Sequence, residues 1–149
     1  MSDRIDALSH LYAALVGSLD GYRNAVENAR GRGLTPVLRE MAAFRARHAA
    51  ELERHITAPE NGGANPTTVR RTATDAFSVV TGINERILSG LIYGEERVRG
   101  HYDDAIGAST AGSPVFNVLN EQRESLQDKI EDMKRLQAHL AASWRILAA

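Results

Sequence analysis

Apolar residues recur three and four positions apart along most of this chain, and that spacing restricts its fold more than any other feature. The first such segment runs from Asp3 to about Ala29 without interruption. Its apolar positions are Ile5, Leu8, Tyr12, Leu15, Leu19, Tyr22 and Val26. A helix places residues with this spacing on one face. The pattern therefore predicts a long helix with one side packed in a bundle.

A second helix is predicted from Thr35 to Thr57, after a short link that contains Gly31 and Gly33. The threonine hydroxyl can cap a free backbone N–H, and Pro36 suits the first helical position because it has no N–H to lose. A link this short makes the second helix antiparallel to the first. The predicted inward stripe consists of Val37, Met41, Phe44, His48, Glu51 with its neighbour Leu52, and His55 with Ile56. Two imidazoles and a carboxylate thus stand where a helix normally places leucine.

The third and fourth long helices follow an extended connection. The sequence APENGGANP at 58–66 cannot continue a helix, and a short helix is predicted from Thr67 to about Val80. A third long helix is predicted from about Asn84 to Ile106, and a fourth begins at Ser113-Pro114. The third seam is Leu88, Leu91, Glu95, Val98, Tyr102 and Ala105; the fourth is Val115, Leu119, Gln122, Leu126, Met133, Leu136 and Leu140, flanked by Ile130.

The long connection also predicts a topology. Connections within helix bundles are usually about 2 to 8 residues, whereas this one has about 26, so we expect it to cross the length of the bundle. Two antiparallel hairpins of long helices joined by such a crossover form the ferritin-like arrangement. The sequence therefore predicts an all-α, ferritin-like four-helix bundle, in one domain over residues 1–149, with a short extra helix in the crossover.

The composition excludes several classes of protein. The chain has no cysteine, so disulfides, thiolate catalysis and cysteine-bound zinc are ruled out. Eighteen basic and nineteen acidic residues give a net charge of −1, which argues against nucleic acid or an anionic membrane as a partner. The N-terminus has no apolar leader region, and no run approaches the roughly 18 apolar residues of a membrane span. We expect a cytoplasmic protein.

Polar residues on the predicted seams suggest, as a first interpretation, a metal centre. Carboxylate-bridged di-metal sites in bundles need a glutamate from each of two helices and a Glu-x-x-His pair from each of the other two. The candidate ligands for iron or manganese are Asp20, His48, Glu51, His55 and Glu95. The fit is incomplete, because the second helix has the order His48-x-x-Glu51 and the first histidine of the fourth helix is His139, near its far end.

The second interpretation is a hydrogen-bonded polar layer inside the bundle. Its members would be Glu51, Glu95, Gln122, His48, Tyr22 and Tyr102. Buried polar groups are stable when they satisfy one another, and such a layer can fix the register of the helices. A third interpretation is that the predicted stripe is rotated and some of these groups face water. Arg45, Arg47 and Arg54 are interpreted as a solvated, paired face of the second helix.

The chain resembles a family of bacterial ferritin-like four-helix-bundle proteins that is known as a domain of unknown function. The resemblance rests on Gly21-Tyr22, on RARHAAEL (Arg45 to Leu52), on Tyr93 to Glu96 followed by Tyr102, and on Glu121-Gln122. It implies that Glu51, Glu95 and Gln122 match recurrent polar positions, and that the position of His48 is commonly aromatic. The family often has a histidine where this chain has Ile130, which removes a nitrogen ligand. The resemblance implies the fold but no activity.

Two functions follow as expectations. The preferred one is a binding or interaction protein without catalysis or a cofactor, with the polar layer in its interior. The alternative is a di-iron or di-manganese carboxylate protein that stores iron or handles oxidants. In either case the apolar Trp144 and Leu147 near the C-terminus are expected to contribute to a homo-oligomer or to a protein partner.

Overall fold

Four long helices make up the described part of the molecule. The computed structural model describes residues 2–29, 35–57 and 85–148, with no strand in those ranges, and this confirms the all-α prediction for them. The helices are α1 (Ser2–Ala29), α2 (Thr35–Thr57), α3 (Glu85–Ala108) and α4 (Pro114–Ala148). The short helix predicted from Thr67 to Val80 lies outside the described residues.

The turn between α3 and α4 explains why α4 begins at Pro114. Gly112 has a φ of 82°, which favours glycine because it carries no Cβ. The next residue, Ser113, accepts a hydrogen bond at its side-chain oxygen from the backbone N–H of Phe116 (3.3 Å). Its carbonyl accepts from the N–H of Asn117 (3.1 Å). Ser113 is therefore the N-cap of α4, as the Ser-Pro sequence predicts.

Contacts between side chains fix the directions of α2, α3 and α4. On the α2–α4 face, Lys129 pairs with Glu40 and Gln122 bonds to Glu51, so a higher number on one helix faces a lower number on the other. The α3–α4 contacts follow the same rule, since Arg123 pairs with Asp103 while Gln137 bonds to Ser89. Both α2 and α3 are therefore antiparallel to α4 and run in the same direction.

This shared direction restricts the connection between α2 and α3. The C-terminal end of α2 and the N-terminal end of α3 lie at opposite ends of the bundle, and residues 58–84 join them. Around the bundle, α1 packs on α2 and α3, while α4 packs mainly on α3 and less closely on α2. The four helices thus enclose one core with α2 and α3 on a diagonal. None of the described helices is apolar over a length sufficient to cross a membrane.

The buried seam of α3 matches the predicted one at every position. Leu88, Leu91, Glu95, Val98, Tyr102 and Ala105 are all buried, and Ile92 beside them is buried as well. On α4 the predicted positions from Val115 to Met133 are buried, Leu136 is half-buried, and Ile130 is fully buried and does not flank the seam. The side chains of Leu140, Trp144 and Leu147 lie outside those that the structure describes. Since these rows repeat with the heptad spacing of helices in bundles, they place Glu95 and Gln122 in the interior.

The inward stripe of α2 is rotated relative to the predicted one. The buried positions that face the core are Leu38, Met41, Phe44, Arg45, Ala49, Leu52 and Ile56, so the predicted Met41 and Phe44 are among them. The predicted residues Val37, His48, Glu51 and His55 are half-buried and form the edge of that stripe. A difference of one residue turns a helix by about 100°, so following the edge of a wide apolar stripe displaces the inferred centre.

Candidate functional site

Glu95 on α3 lies at the centre of a polar cluster in the core. Its side chain is 1% exposed, and each carboxylate oxygen has its own partner. The Tyr22 hydroxyl on α1 donates to Oε1 at 2.6 Å, and the Arg45 guanidinium on α2 donates to Oε2. Both partners are fully buried. Three helices are therefore joined through one almost fully buried carboxylate.

The electrostatics of this cluster favour a charged pair beside a neutral phenol. Burial lowers the pKa of Arg45, but the charge of Glu95, the two tyrosines Tyr22 and Tyr102 and the hydrogen bond to Glu95 together outweigh burial and raise the pKa above its ordinary value. Burial also raises the pKa of Tyr22 well above its usual range, and the negative charge of Glu95 adds to the increase. The arginine thus stays protonated, and the tyrosine keeps the proton that it donates to Glu95.

Gln122 on α4 connects the second part of the cluster. Its Oε1 accepts a hydrogen bond from the hydroxyl of Tyr102 at 2.7 Å, and its Nε2 donates to Oε1 of Glu51 at 2.7 Å. The same Nε2 lies 3.3 Å from the backbone carbonyl of His48, which also accepts from it. Gln122 is 2% exposed, whereas Glu51 is half-buried. An amide suits this position because it can accept from a phenol and donate to a carboxylate at once.

The His48 side chain lies beside this cluster and makes no ligand-like contact. Its ring packs against Phe44 with a distance of 4.3 Å between centroids, and its Nδ1 has no hydrogen-bond partner within the described ranges. Burial, followed by the nearby charge of Arg45, lowers the pKa of His48 to about 4. The imidazole is therefore neutral at pH 7 and contributes to the layer through its backbone carbonyl.

The structure separates several of the residues that the sequence suggests as metal ligands. Asp20 is exposed on α1, and His55 is half-buried near the end of α2. Glu95 is paired with Arg45, and Glu51 is bonded to Gln122. Within residues 2–29, 35–57 and 85–148, no three histidine, aspartate or glutamate side chains are grouped so that they could hold an ion.

Arg45 is the member of the cluster that the sequence analysis misses. The interpretation of Arg45 as part of a solvated face is wrong, because its side chain has no exposure. Its Nε and Nη1 have no hydrogen-bond acceptor in the described part of the chain, and its guanidinium carbon lies 5.6 Å from the centre of the Phe44 ring. Because this charge is fully desolvated, Glu95 supplies the main compensation for burying it.

A signal in the sequence could have identified Arg45. It stands seven residues after Leu38 and seven before Leu52, and both leucines are fully buried. Positions seven apart lie on the same side of a packed helix. The heptad through the leucines therefore places Arg45 inside, although the composition around it resembles an exposed face.

A family model described as "Domain of unknown function (DUF2383)" matches residues 3–108, about seven-tenths of the chain. The chain belongs to this family. The match to DUF2383 extends over α1, α2 and α3 and ends before α4 begins at Pro114. It therefore includes Tyr22, Arg45, Glu51, Glu95 and Tyr102, and it does not include Gln122. Neither a curated protein nor a solved structure matches the chain.

Proposed function

We propose that this DUF2383 protein is a ferritin-like helical bundle that acts as a binding or interaction protein and performs no catalysis. The common direction of α2 and α3 supports the ferritin-like topology, since that arrangement has a long connection between its second and third helices. A bacterial origin and a cytoplasmic location are part of the same proposal, and both rest on the sequence.

The pairing of Glu95 carries this proposal. A carboxylate that binds a metal must direct its lone pairs at the ion, and those of Glu95 accept hydrogen bonds from Tyr22 and Arg45. The guanidinium also places a permanent positive charge at the centre of the bundle, which repels a second cation there. The arginine thus neutralises the buried carboxylate in the way that a metal ion does in a carboxylate-bridged site.

The second half of the polar cluster supports a structural role in the same way. Gln122 joins α4 to α2 through Glu51 and to α3 through Tyr102. Together with the contacts of Glu95, these bonds connect all four helices at two neighbouring levels, about two helical turns apart. A layer of this kind holds helices in one register, and it leaves the outer faces of the bundle to make contacts with partners.

Metal analysis tests the proposed function. Wild-type protein and the Glu51→Ala variant would be purified from cells supplemented with iron and manganese, and the metal content per chain would be measured by mass spectrometry. Glu121→Ala, which changes an exposed glutamate of α4, is the matched control. We expect all three proteins to be free of stoichiometric metal, and Glu51→Ala to show a small loss of stability.

One pattern of metal content would contradict the proposed function. About two irons or manganeses per chain in the wild type and in Glu121→Ala, but none in Glu51→Ala, would establish a di-metal centre and refute the proposed function.

A further inference from the structure

The outward face of α3 differs from the rest of the described surface. Tyr93 lies on it with 65% of its side chain exposed, and among the residues whose side chains the structure describes it is the one exposed large hydrophobic residue. Arg97, Gly100 and Asp104 are also exposed, and the helical spacing places all four on the side opposite the buried seam. An aromatic ring, two opposite charges and a glycine thus share one narrow face.

The order of residues on this face is self-complementary. Arg97 and Asp104 lie equally far from the midpoint between residues 100 and 101, and so do Gly94 and Gly107. In an isologous contact with a two-fold axis at that midpoint, Arg97 of each copy faces Asp104 of the other. Neither side chain forms an ion pair with another residue of the described ranges. Both charges can therefore pair across such an axis.

The glycines of this face leave room for a second helix. A Cβ built at Gly100 or Gly107 on this face, or at Gly94 on the half-buried side of α3, would meet no atom of the described molecule within 4 Å. Packing inside the bundle therefore gives no reason for glycine at these positions, although glycine lowers the stability of a helix interior. Helices approach each other closely where such residues replace larger ones.

We propose that the outward face of α3 is the contact through which two copies of this chain associate, with their α3 helices antiparallel. Arg97 of one copy pairs with Asp104 of the other, twice over. Tyr93 packs near Gly107 and Ala108 at the end of the partner helix. A contact formed by one helix from each copy buries less than the roughly 1,000 Å² typical of a stable interface, so association depends on concentration. The partner in the proposed interaction role is then a second copy of this chain, and the inference rests on that proposed role.

Charge reversal tests the pairing directly. Mass in solution would be measured by sedimentation velocity for the wild type, Arg97→Glu, Asp104→Arg and the double variant, over about a hundredfold range of concentration. Each single variant places like charges opposite each other at both pairs, and we expect it to weaken dimerisation by about tenfold or more. The double variant restores opposite charges, and we expect it to recover most of the affinity. Arg39→Glu with Asp128→Arg reverses two exposed charges elsewhere and is the matched control.

A steric variant separates association from folding. Gly100→Gln adds a side chain at the centre of the proposed contact, at a position where the isolated chain has space. We expect Gly100→Gln to abolish the dimer and to leave the melting temperature of the monomer unchanged or higher, because glutamine is the better helix former.

Three results would overturn the proposal. They are a wild-type protein that stays monomeric at every concentration, a dimer that neither single reversal weakens, or a double variant that does not recover. A Gly100→Gln variant that loses thermal stability without changing mass would show that the chain itself covers this face. Metal analysis and mass in solution are independent measurements, so the proposed function and this surface can fail separately.

Discussion

The two halves of the polar layer bury polar groups in different ways. In the half around Glu95, an arginine and a carboxylate, each at most 1% exposed, form an ion pair with a tyrosine beside it. In the half around Gln122, a neutral amide joins a tyrosine to Glu51, which is half-buried and retains access to water. The charges of the first half are shielded from solvent. The charge of the second half, on Glu51, is partly exposed to solvent.

This difference determines how much each half should contribute when it is broken. Removing one partner of a fully buried ion pair leaves a charge without compensation, whereas replacing both partners can be nearly neutral. Removing the amide of Gln122 leaves the half-buried carboxylate of Glu51 within reach of water, and only the neutral phenol of Tyr102 loses a buried partner. The charged half is therefore the sensitive part of the layer, and the amide half is the tolerant one.

The largest effect is expected from Arg45→Met. Losing the guanidinium leaves the carboxylate of Glu95 buried without a counter-charge, and we expect the free energy of unfolding to fall by about 3–5 kcal/mol. Adding Glu95→Gln to this variant removes the unpaired charge, so the double variant should recover more than half of the loss. Equilibrium unfolding in urea measures both. Arg39→Met on the exposed side of α2 is the control, and an Arg45→Met loss no greater than the control would contradict the buried pair.

A smaller effect is expected from Gln122→Leu. This change removes the acceptor for Tyr102 and the donor for Glu51 while keeping a side chain of similar volume. We expect a loss of about 1–3 kcal/mol in the same unfolding measurement, because one buried phenol is left without a partner. Asn117→Leu, at an exposed position of α4, is the control. If Gln122→Leu lost as much as Arg45→Met, the proposed difference between the two halves would be wrong.

The smallest effect is a dependence of stability on pH that comes from His48. Its pKa is lowered from 6.5 to about 4 in the folded protein, so the unfolded chain binds a proton in this range and the folded one does not. Stability is therefore full above pH 6.5 and is lost as the pH falls towards about 4. The urea midpoint, followed across this window, should decrease less in His48→Phe than in the wild type. Asn24→Phe, at an exposed position of α1 that does not titrate, should keep the wild-type slope.

The sequence predicted the helices well because their spacing and their ends are local signals. The observed bounds of α2 are the predicted ones at both ends. Every position of the predicted α3 seam is buried, because Leu88, Leu91, Val98 and Ala105 all lie on one face of the helix. Glu95 stands out as the polar residue in that apolar row. A local pattern of this kind contains enough information to place such a residue inside.

The partners within the site could not be predicted in the same way. Whether Arg45 or His48 points inward depends on the rotation of α2 about its axis, and apolar residues on both edges of the stripe permit two rotations. The contact between Tyr22 and Glu95 joins residues 73 positions apart, on helices whose relative height is set by the packing of the whole bundle. Periodicity along one segment contains no information about either quantity.

Glu95 and Tyr102 stand seven residues apart on α3, as do Leu88 and Glu95, and Leu91, Val98 and Ala105 continue the other row with the same interval. Sliding α3 by two turns would therefore place apolar residues where other apolar residues stood over much of its length. Apolar contacts alone would distinguish the shifted alignment poorly from the native one. A slide in one direction would bring the phenol of Tyr102 to Arg45 and move Glu95 to the place of Leu88. A slide in the other direction would bring Leu88 to Arg45 and the carboxylate of Glu95 to the amide of Gln122. The polar layer therefore favours one alignment of the four helices over shifted alignments that hydrophobic packing alone would permit.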